Sequence, residues 1–379
     1  FNERHISLML ASNRKKPFKI AIVAGEVSGD LLGSKLMESI RSLDSSVEFI
    51  GVGGSKMTLQ GLDSFFVMDE ISVMGIIEPL FKIRKLLRLR KELKNFLTDE
   101  SPDLFIGIDS PDFNIPVAKF LKKRNIRTIQ YVSPSVWAWR EGRIKSMEKA
   151  IDAVFTLFPF EKNAYSKSAI DAFYIGHPLS YDITLTREEI HSKEVNSVAL
   201  LPGSRRSEII SLGDQMISVA KALTKINSRY KFYLPLSDRS HLELFNEDFG
   251  DNIHVSFGDS QKVLKRTSIA LITSGTATLE SVLSYTPCVT LYKTNWLSYL
   301  LIKPLLKIES FALPNLIIGE KIMPELLQGE VSLENIISAM QFIEEKGLKF
   351  YEEKFNSISN HLRAGGPEKA AKEILALLN

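Results

Sequence analysis

Through most of this chain, short apolar runs alternate with stretches whose apolar residues recur at helical spacing. Residues 19–24 (KIAIVA), 47–52, 104–108, 128–132 and 153–157 read as strands, nearly continuous in apolar character as burial on both faces requires. The first runs into Gly25-Glu26-Val27-Ser28-Gly29-Asp30, after which Leu31, Leu32, Leu36 and Ile40 fall at helical spacing. Strand, glycine turn and helix in that order open a βαβ unit. A second series begins near residue 197. Residues 198–201 form a strand and Pro202-Gly203-Ser204-Arg205 a turn; Ile209, Leu212, Met216 and Val219 then suit the buried side of a helix. Residues 231–234, 254–257, 269–273 and 288–292 continue as strands. The pattern predicts an α/β protein that starts a doubly wound parallel sheet twice. The uneven, charged stretch 176–196 is expected to link the two halves. Near the end, Leu348, Tyr351, Phe355, Ile358 and Leu362 share a helical face, and Pro367 opens a last helix over 368–378.

Composition agrees and removes several classes. The chain has 379 residues, enough for two domains at roughly 150 each. Its 44% hydrophobic and 25% charged residues belong to a folded globular protein rather than a disordered one. The single cysteine, Cys288, leaves no intramolecular disulfide framework and no cysteine-rich metal site. No apolar run reaches the roughly 18 residues that a bilayer span needs, and no signal peptide is read in the N-terminal stretch.

The net charge is only +3, yet residues 82–94 (KIRKLLRLRKELK) hold seven basic residues and one acidic, a local +6 that leaves the rest near −3. That distribution disfavours a general nucleic-acid binder. Ile76, Leu80, Ile83 and Leu87 are expected on one side of a helix, continuing into Leu86, Leu93 and Leu97, with Arg84, Lys85, Arg88 and Lys91 largely opposite. Leucines facing Lys and Arg suit either an anionic membrane surface or a solvated helix whose apolar face is core; the basic excess favours lipid. Trp296, Tyr299, Leu300, Leu301 and Ile302, beside Lys303 and Lys307, form a second candidate for lipid contact.

Candidate chemistry sits at strand ends, where open α/β sheets bind ligands. In the first turn, Gly25, Gly29 and Gly33 are four apart, which is not the G-x-G-x-x-G spacing of a dinucleotide fold. Its backbone N–H groups suit an anion or a sugar hydroxyl, or else Ser28 or Asp30 caps the helix. Asp109, in GIDSPDFN, follows a strand and suits a general base if burial raises its pKa, whereas Asp112 suits a turn or cap. Trp137, Trp139 and Arg140 suit recognition of a sugar or lipid edge, or a packed loop. The turns at Gly203-Ser204-Arg205 and Ser274-Gly275-Thr276 could hold a diphosphate between N–H groups and an arginine. Neither matches G-x-x-x-x-G-K-[ST]. No D-x-D triplet occurs, so no metal is expected at the diphosphate. His177 reads as structural.

Taken in order, AGEVSGDLLG, GIDSPDFN, YVSPSVWAWR, FPFE, GHPL, LLPGSRRSEI, TSGTATLE and LPN resemble the lipid-A-disaccharide synthases, from about residue 19 to the end. The resemblance implies a GT-B glycosyltransferase: two Rossmann-like domains facing a cleft, with a C-terminal helix returning to the N-terminal domain. It divides the chain into an acceptor and membrane-side domain (1–180, plus helices in 340–379) and a UDP-sugar domain (181–339). It implies inverting, metal-independent transfer without a cofactor. UDP-2,3-diacylglucosamine would be joined to 2,3-diacylglucosamine 1-phosphate, giving a β-1,6-linked disaccharide 1-phosphate and UDP in lipid A biosynthesis. Asp109 would be the base, Glu26 would lie on the acceptor side, and Gly203, Ser204, Arg205, Ser274, Gly275, Thr276, Glu280 and Asn315 would hold UDP. A homodimer, peripheral on the cytoplasmic face of the inner membrane, is also implied. The alternatives are a UDP-sugar epimerase of the same architecture, which needs no acylated acceptor, and a non-catalytic lipid-binding protein, which needs no UDP.

Overall fold

A computed structural model describes residues 16–71, 78–134, 136, 142–294 and 310–378. The chain divides into two units, residues 1–178 with 363–379, and residues 179–362. Among the described residues, no helix is long and apolar enough to cross a membrane.

The first unit is built on a seven-stranded parallel sheet of β1 (Lys19–Ala24), β2 (Glu48–Val52), β3 (Leu62–Ser64), β4 (Leu104–Ile108), β5 (Arg127–Tyr131), β6 (Ala153–Thr156) and β7 (Asp171–Tyr174). Their spatial order is β3-β2-β1-β4-β5-β6-β7. The expected strands form within a residue or two. The edge strands β3 and β7, three and four residues long, are not among them. Residues 20–24 and Leu104, Phe105, Ile106 and Ile108 are fully buried, since helices cover both faces. Helix α1 (Val27–Leu43) lies over β1. The order reverses between β1 and β4, where Ala24 pairs with Ile108, so the turns after these strands emerge side by side.

The basic stretch lies on helix α2 (Glu78–Glu100), and it divides in two. Leu89, Leu93 and Leu97 are core, whereas Ile83 and Leu87 are 51% and 53% exposed, beside exposed Arg84, Lys85, Arg88 and Lys91. Ile83 and Leu87 therefore do not share the buried side with Leu93, as expected from spacing. Arg90 and Lys94 are half-buried against helix α3 (Pro111–Lys122): Arg90 Nη2 donates to Asp112 O (2.9 Å), and the two cations lie over Phe113 and Phe120. Burial lowers the pKa of both. Ile76 lies outside the described residues, as does the side chain of Leu80.

The second unit carries a six-stranded parallel sheet of β8 (Glu194–Leu201), β9 (Lys231–Leu236), β10 (Ile253–Phe257), β11 (Thr267–Thr273), β12 (Cys288–Tyr292) and β13 (Glu325–Leu327), ordered β10-β9-β8-β11-β12-β13. Helix α4 (Arg206–Ile226) buries Ile209, Leu212, Met216 and Val219, the face read from spacing. Helix α5 (Ala277–Leu283) follows β11, and helix α6 (Leu313–Ile318) comes before β13.

The long helix α7 (Leu333–Leu362) kinks at Gly347, with φ 73° and ψ 163°. Tyr351, Phe355, Ile358 and Leu362 are buried after the kink, but Leu348, next to it, is exposed. These aromatics belong to the second unit, where Tyr351 Oη donates to Ile322 O, so the chain returns to the first unit at Arg363 rather than near 340. Helix α8 (Gly366–Leu378) then packs on α1 through Ala370, Ala371 and Ile374, with Gly366 N donating to Ile175 O (2.7 Å). The C-terminal helix thus completes the first unit. The expected linker holds short helices at 179–182 and 187–191, and the boundary falls at its start.

Candidate active site

In the first unit, Asp109 and Ser110 leave β4 with φ of 47° and 37°. Two consecutive left-handed residues other than glycine are each strained by about 1–3 kcal/mol, and such strain persists only where surrounding contacts fix it. Asp109 N donates to Tyr131 O (2.9 Å), and Pro111 then starts α3 with its φ already helical. The Asp109 side chain is partly buried, and this burial raises its pKa, against a smaller lowering by the Ser110 N–H. A carboxyl held this way moves toward the range useful to a general base. Asp112 is exposed in the first turn of α3 and pairs with Arg143.

The turn after β1 lies alongside. A Cβ on Gly25 would stand 2.6 Å from Ser110 Oγ and 3.1 Å from its Cβ, so the two turns meet closely here. Glu26 is exposed at the N-cap of α1, and its carbonyl accepts from Asp30 N (2.9 Å). Asp30 does not cap its own helix. Its buried carboxylate accepts N–H bonds from Gly54 (2.9 Å), Lys56 (3.1 Å) and Met57 (3.0 Å), which caps the helix at Ser55–Leu59. Trp137, Trp139 and Arg140 lie outside the described residues. In FPFE, Glu161 accepts from Leu157 N and Phe158 N, and His177 is buried against the Phe158 ring.

In the second unit, β8 and β11 are neighbours, with Leu201 paired to Ile272, and the order reverses between them. The turns at 202–205 and 274–276 therefore emerge together at the carboxyl edge, where such sheets take ligands. Gly203 has φ 109°, and a Cβ there would meet Glu208 Cβ at 2.7 Å. The Glu208 carboxylate accepts from Ser204 N (3.1 Å), Arg205 N (3.2 Å) and Arg205 Nη1 (2.6 Å). It fixes the loop at the N-terminus of α4 and holds one edge of a guanidinium that is 79% exposed. Sequence reasoning missed Glu208; its signal is a carboxylate three residues into a helix that follows a glycine turn.

Gly275 and Thr276 are exposed at the start of α5, and Ser274 Oγ donates to Phe311 O (3.1 Å). Glu280 is partly buried; burial raises its pKa, and a hydrogen bond with Ser260 opposes this. Asn315, expected to hold UDP, is buried at the third position of α6. Its buried Nδ2 donates to Met323 O (2.9 Å), and its Oδ1 accepts from Ile322 N and Met323 N (both 3.0 Å). The side chain is committed to the backbone at 322–323. Among the described residues, no group of three or more His, Cys, Asp or Glu could hold a metal ion. Trp296, Tyr299 and residues 300–307 lie outside the described residues.

The family model described as lipid-A-disaccharide synthetase matches residues 20–376. A lipid-A-disaccharide synthase of Idiomarina loihiensis is 43% identical over 378 residues, covering 97% of this chain and 100% of the relative. Among solved structures, the glycotransferase of kitacinnamycin superposes with TM-score 0.64 at 14% identity, over 96% of this chain and 100% of its own. A UDP-GlcNAc 2-epimerase from Neisseria meningitidis, bound to UDP-GlcNAc, superposes with TM-score 0.62 at 13% identity, over 95% and 100%. These two likenesses are of fold alone: the GT-B pairing of Rossmann-like domains.

Proposed function

The chain belongs to the lipid-A-disaccharide synthetase family, and from that premise we propose how its residues divide the chemistry. It is a UDP-sugar-dependent glycosyltransferase of lipid A biosynthesis. Family membership separates it from the epimerases that share its fold. In the proposed reaction, the 6-hydroxyl oxygen of 2,3-diacylglucosamine 1-phosphate attacks the anomeric carbon of UDP-2,3-diacylglucosamine. Asp109 takes the hydroxyl proton, the new C–O bond forms as the bond to UDP breaks, and configuration inverts to β-1,6. UDP leaves with the electron pair.

The observation that carries this reading is Asp109 itself: a partly buried carboxyl whose pKa is raised, on a strained turn beside the reversal of strand order. A positioned base contributes about 10²–10⁴-fold. The exposed Arg205, with the N–H groups of the 203–205 turn, supplies a positive field for the departing diphosphate without a metal ion. Glu280, partly buried behind the 274–276 turn, suits acceptance from a ribose hydroxyl. Glu26 is assigned to the acceptor side. Asn315 is assigned to the UDP side, where it also holds the backbone at 322–323.

We further infer that the exposed half of α2 rests on an anionic membrane surface. Ile83 and Leu87 enter the interface, while Arg84, Lys85, Arg88 and Lys91 each contribute about 1 kcal/mol near anionic lipid. What supports this is the combination on one exposed face: Ile83 and Leu87 stand among four exposed basic residues. A membrane surface is the matching location, because both substrates carry acyl chains; the inner face of the inner membrane is expected from the family resemblance. A homodimer is expected from the family resemblance, and light scattering of the purified protein tests it.

The deciding experiment gives the protein both acylated sugars and follows UDP release and disaccharide formation, with Asp109→Asn in parallel. Turnover should nearly vanish in the variant while UDP still binds. Near-normal turnover removes Asp109 as the base.

A further inference from the structure

Two buried amides stand behind Asp109. Asn114, fully buried on α3, donates from Nδ2 to Asp109 O (3.0 Å), and Ile108 O (3.2 Å) and Val23 O (3.3 Å) lie within reach of the same group. Gln130, on β5, donates from Nε2 to Asp109 O (2.9 Å) and to Val132 O (3.3 Å). Val132 is itself left-handed, with φ 77°, an uncommon conformation for a β-branched residue. One amide thus joins the carbonyls of two strained turns at adjacent strand ends.

The space for this cluster comes from Gly107, which pairs with Gln130 across β4 and β5. A Cβ there would meet Asn114 Cβ at 2.7 Å and Gln130 Oε1 at 3.2 Å. Asn114 Oδ1 is buried without a partner. Turning the amide over would not cure this, because Oδ1 would then face three carbonyl oxygens. A buried acceptor without a protein partner is costly, so the placement of this amide is set by its donor side, which faces the Asp109 carbonyl.

We propose that Asn114 and Gln130 are positioning residues: they clamp the Asp109 carbonyl so that the strained turn, and with it the carboxylate, keeps one orientation toward the acceptor hydroxyl. The proposal rests on Asp109 being the base. Neither amide touches substrate; each acts through the backbone of Asp109. A base displaced by about 1 Å can lose on the order of 10²-fold in rate while ground-state binding hardly changes.

The test measures kcat, KM and UDP affinity for the full chain with both acylated sugars, in Asn114→Leu, Gln130→Met, Asp109→Asn and the double variants. Asn114→Leu keeps the number and branching of the heavy atoms, Gln130→Met keeps the chain length, and both remove the donor. Each single amide variant should lose about 10- to 100-fold in kcat, with KM and UDP affinity within about threefold of the parent. Adding either to Asp109→Asn should cause almost no further loss, because the group being positioned is already gone. Gln130→Met carries the same cycle if Asn114→Leu fails to accumulate. Full kcat in a folded single variant overturns the proposal, as do losses that multiply in the double variant, which would mark general damage. Near-normal kcat in Asp109→Asn instead removes the base assignment, an outcome distinguishable from a clamp that does nothing behind an essential Asp109.

Discussion

Ser110 Oγ occupies the place that a side chain on Gly25 would need, 2.6 Å from its ideal Cβ position. The turn after β1 and the turn after β4 are therefore shaped to each other. Gly25→Ala should push Ser110, and Asp109 with it, out of position. Expected are a stability loss of about 1–3 kcal/mol, as for other overpacking changes, and a larger proportional fall in kcat than in UDP affinity. Denaturant melts beside UDP calorimetry separate the two; unchanged kcat in Gly25→Ala would uncouple the turns.

The pH dependence follows from the direction of the Asp109 shift. Burial disfavours the ionised form, so the folded pKa lies above the unfolded one. Activity needs the carboxylate and should fall as pH drops through that raised value. The acidic limb of kcat/KM then lies at higher pH than an exposed aspartate would give. Stability runs the other way: the ionised group carries a penalty above its folded pKa that vanishes below the unfolded value. Asp109→Asn should thus melt higher than the parent near neutral pH, and the difference should shrink on acidification. Melting curves at several pH values measure it; a variant less stable at neutral pH contradicts the burial argument.

Arg205 and Glu208 should behave oppositely toward UDP. Arg205→Ala removes a charge-assisted contact and should weaken UDP binding by about 10- to 100-fold. Glu208→Gln keeps an acceptor for the loop N–H groups but removes the negative charge that holds the guanidinium, so UDP affinity should stay level or rise. Titration calorimetry with UDP decides it, and a tenfold loss in Glu208→Gln would show that the carboxylate's charge is needed to build the loop.

Charge reversal at Arg84, Lys85 and Arg88 should lower co-sedimentation with anionic vesicles. Raising the salt should do the same to the parent. Ile83→Ser with Leu87→Ser should remove the part that salt leaves behind. Sedimentation unaffected by both sets would exclude α2 as the lipid contact.

Asp30→Ala leaves three backbone N–H groups without their acceptor and should cost about 1–3 kcal/mol in stability. Catalysis in the folded fraction should be nearly unchanged, because the carboxylate faces Gly54 and Met57. A selective fall in kcat at full stability would give Asp30 a chemical role after all.

The sequence by itself determined the central strands of both sheets, the glycine turns and the order of the parts; the short edge strands β3, β7 and β13 it did not. Each is a local property: residues 20–24 are apolar because both faces of the sheet are covered, and Gly203 is needed because its own φ is positive. The identity of Asp109, Arg205 and the 274–276 turn as candidates was legible for the same reason, from residue type at a strand end. What only the tertiary structure decided is long-range. Pairing of β1 with β4 and of β8 with β11 makes two reversals of strand order and brings turns far apart in sequence to one edge. Packing also reassigned side chains that periodicity could not sort. Leu93 went to the core while Leu87 stayed exposed, Asp30 capped a neighbouring helix, and Asn315 bonds the backbone at 322–323. Asn114 and Gln130 were invisible as a pair, since 16 residues separate them in the chain and only the β4–β5 register, with Gly107 between, puts both amides on one carbonyl. A hydrogen bond to a distant backbone oxygen has no signature in spacing, because its partner is set by the fold.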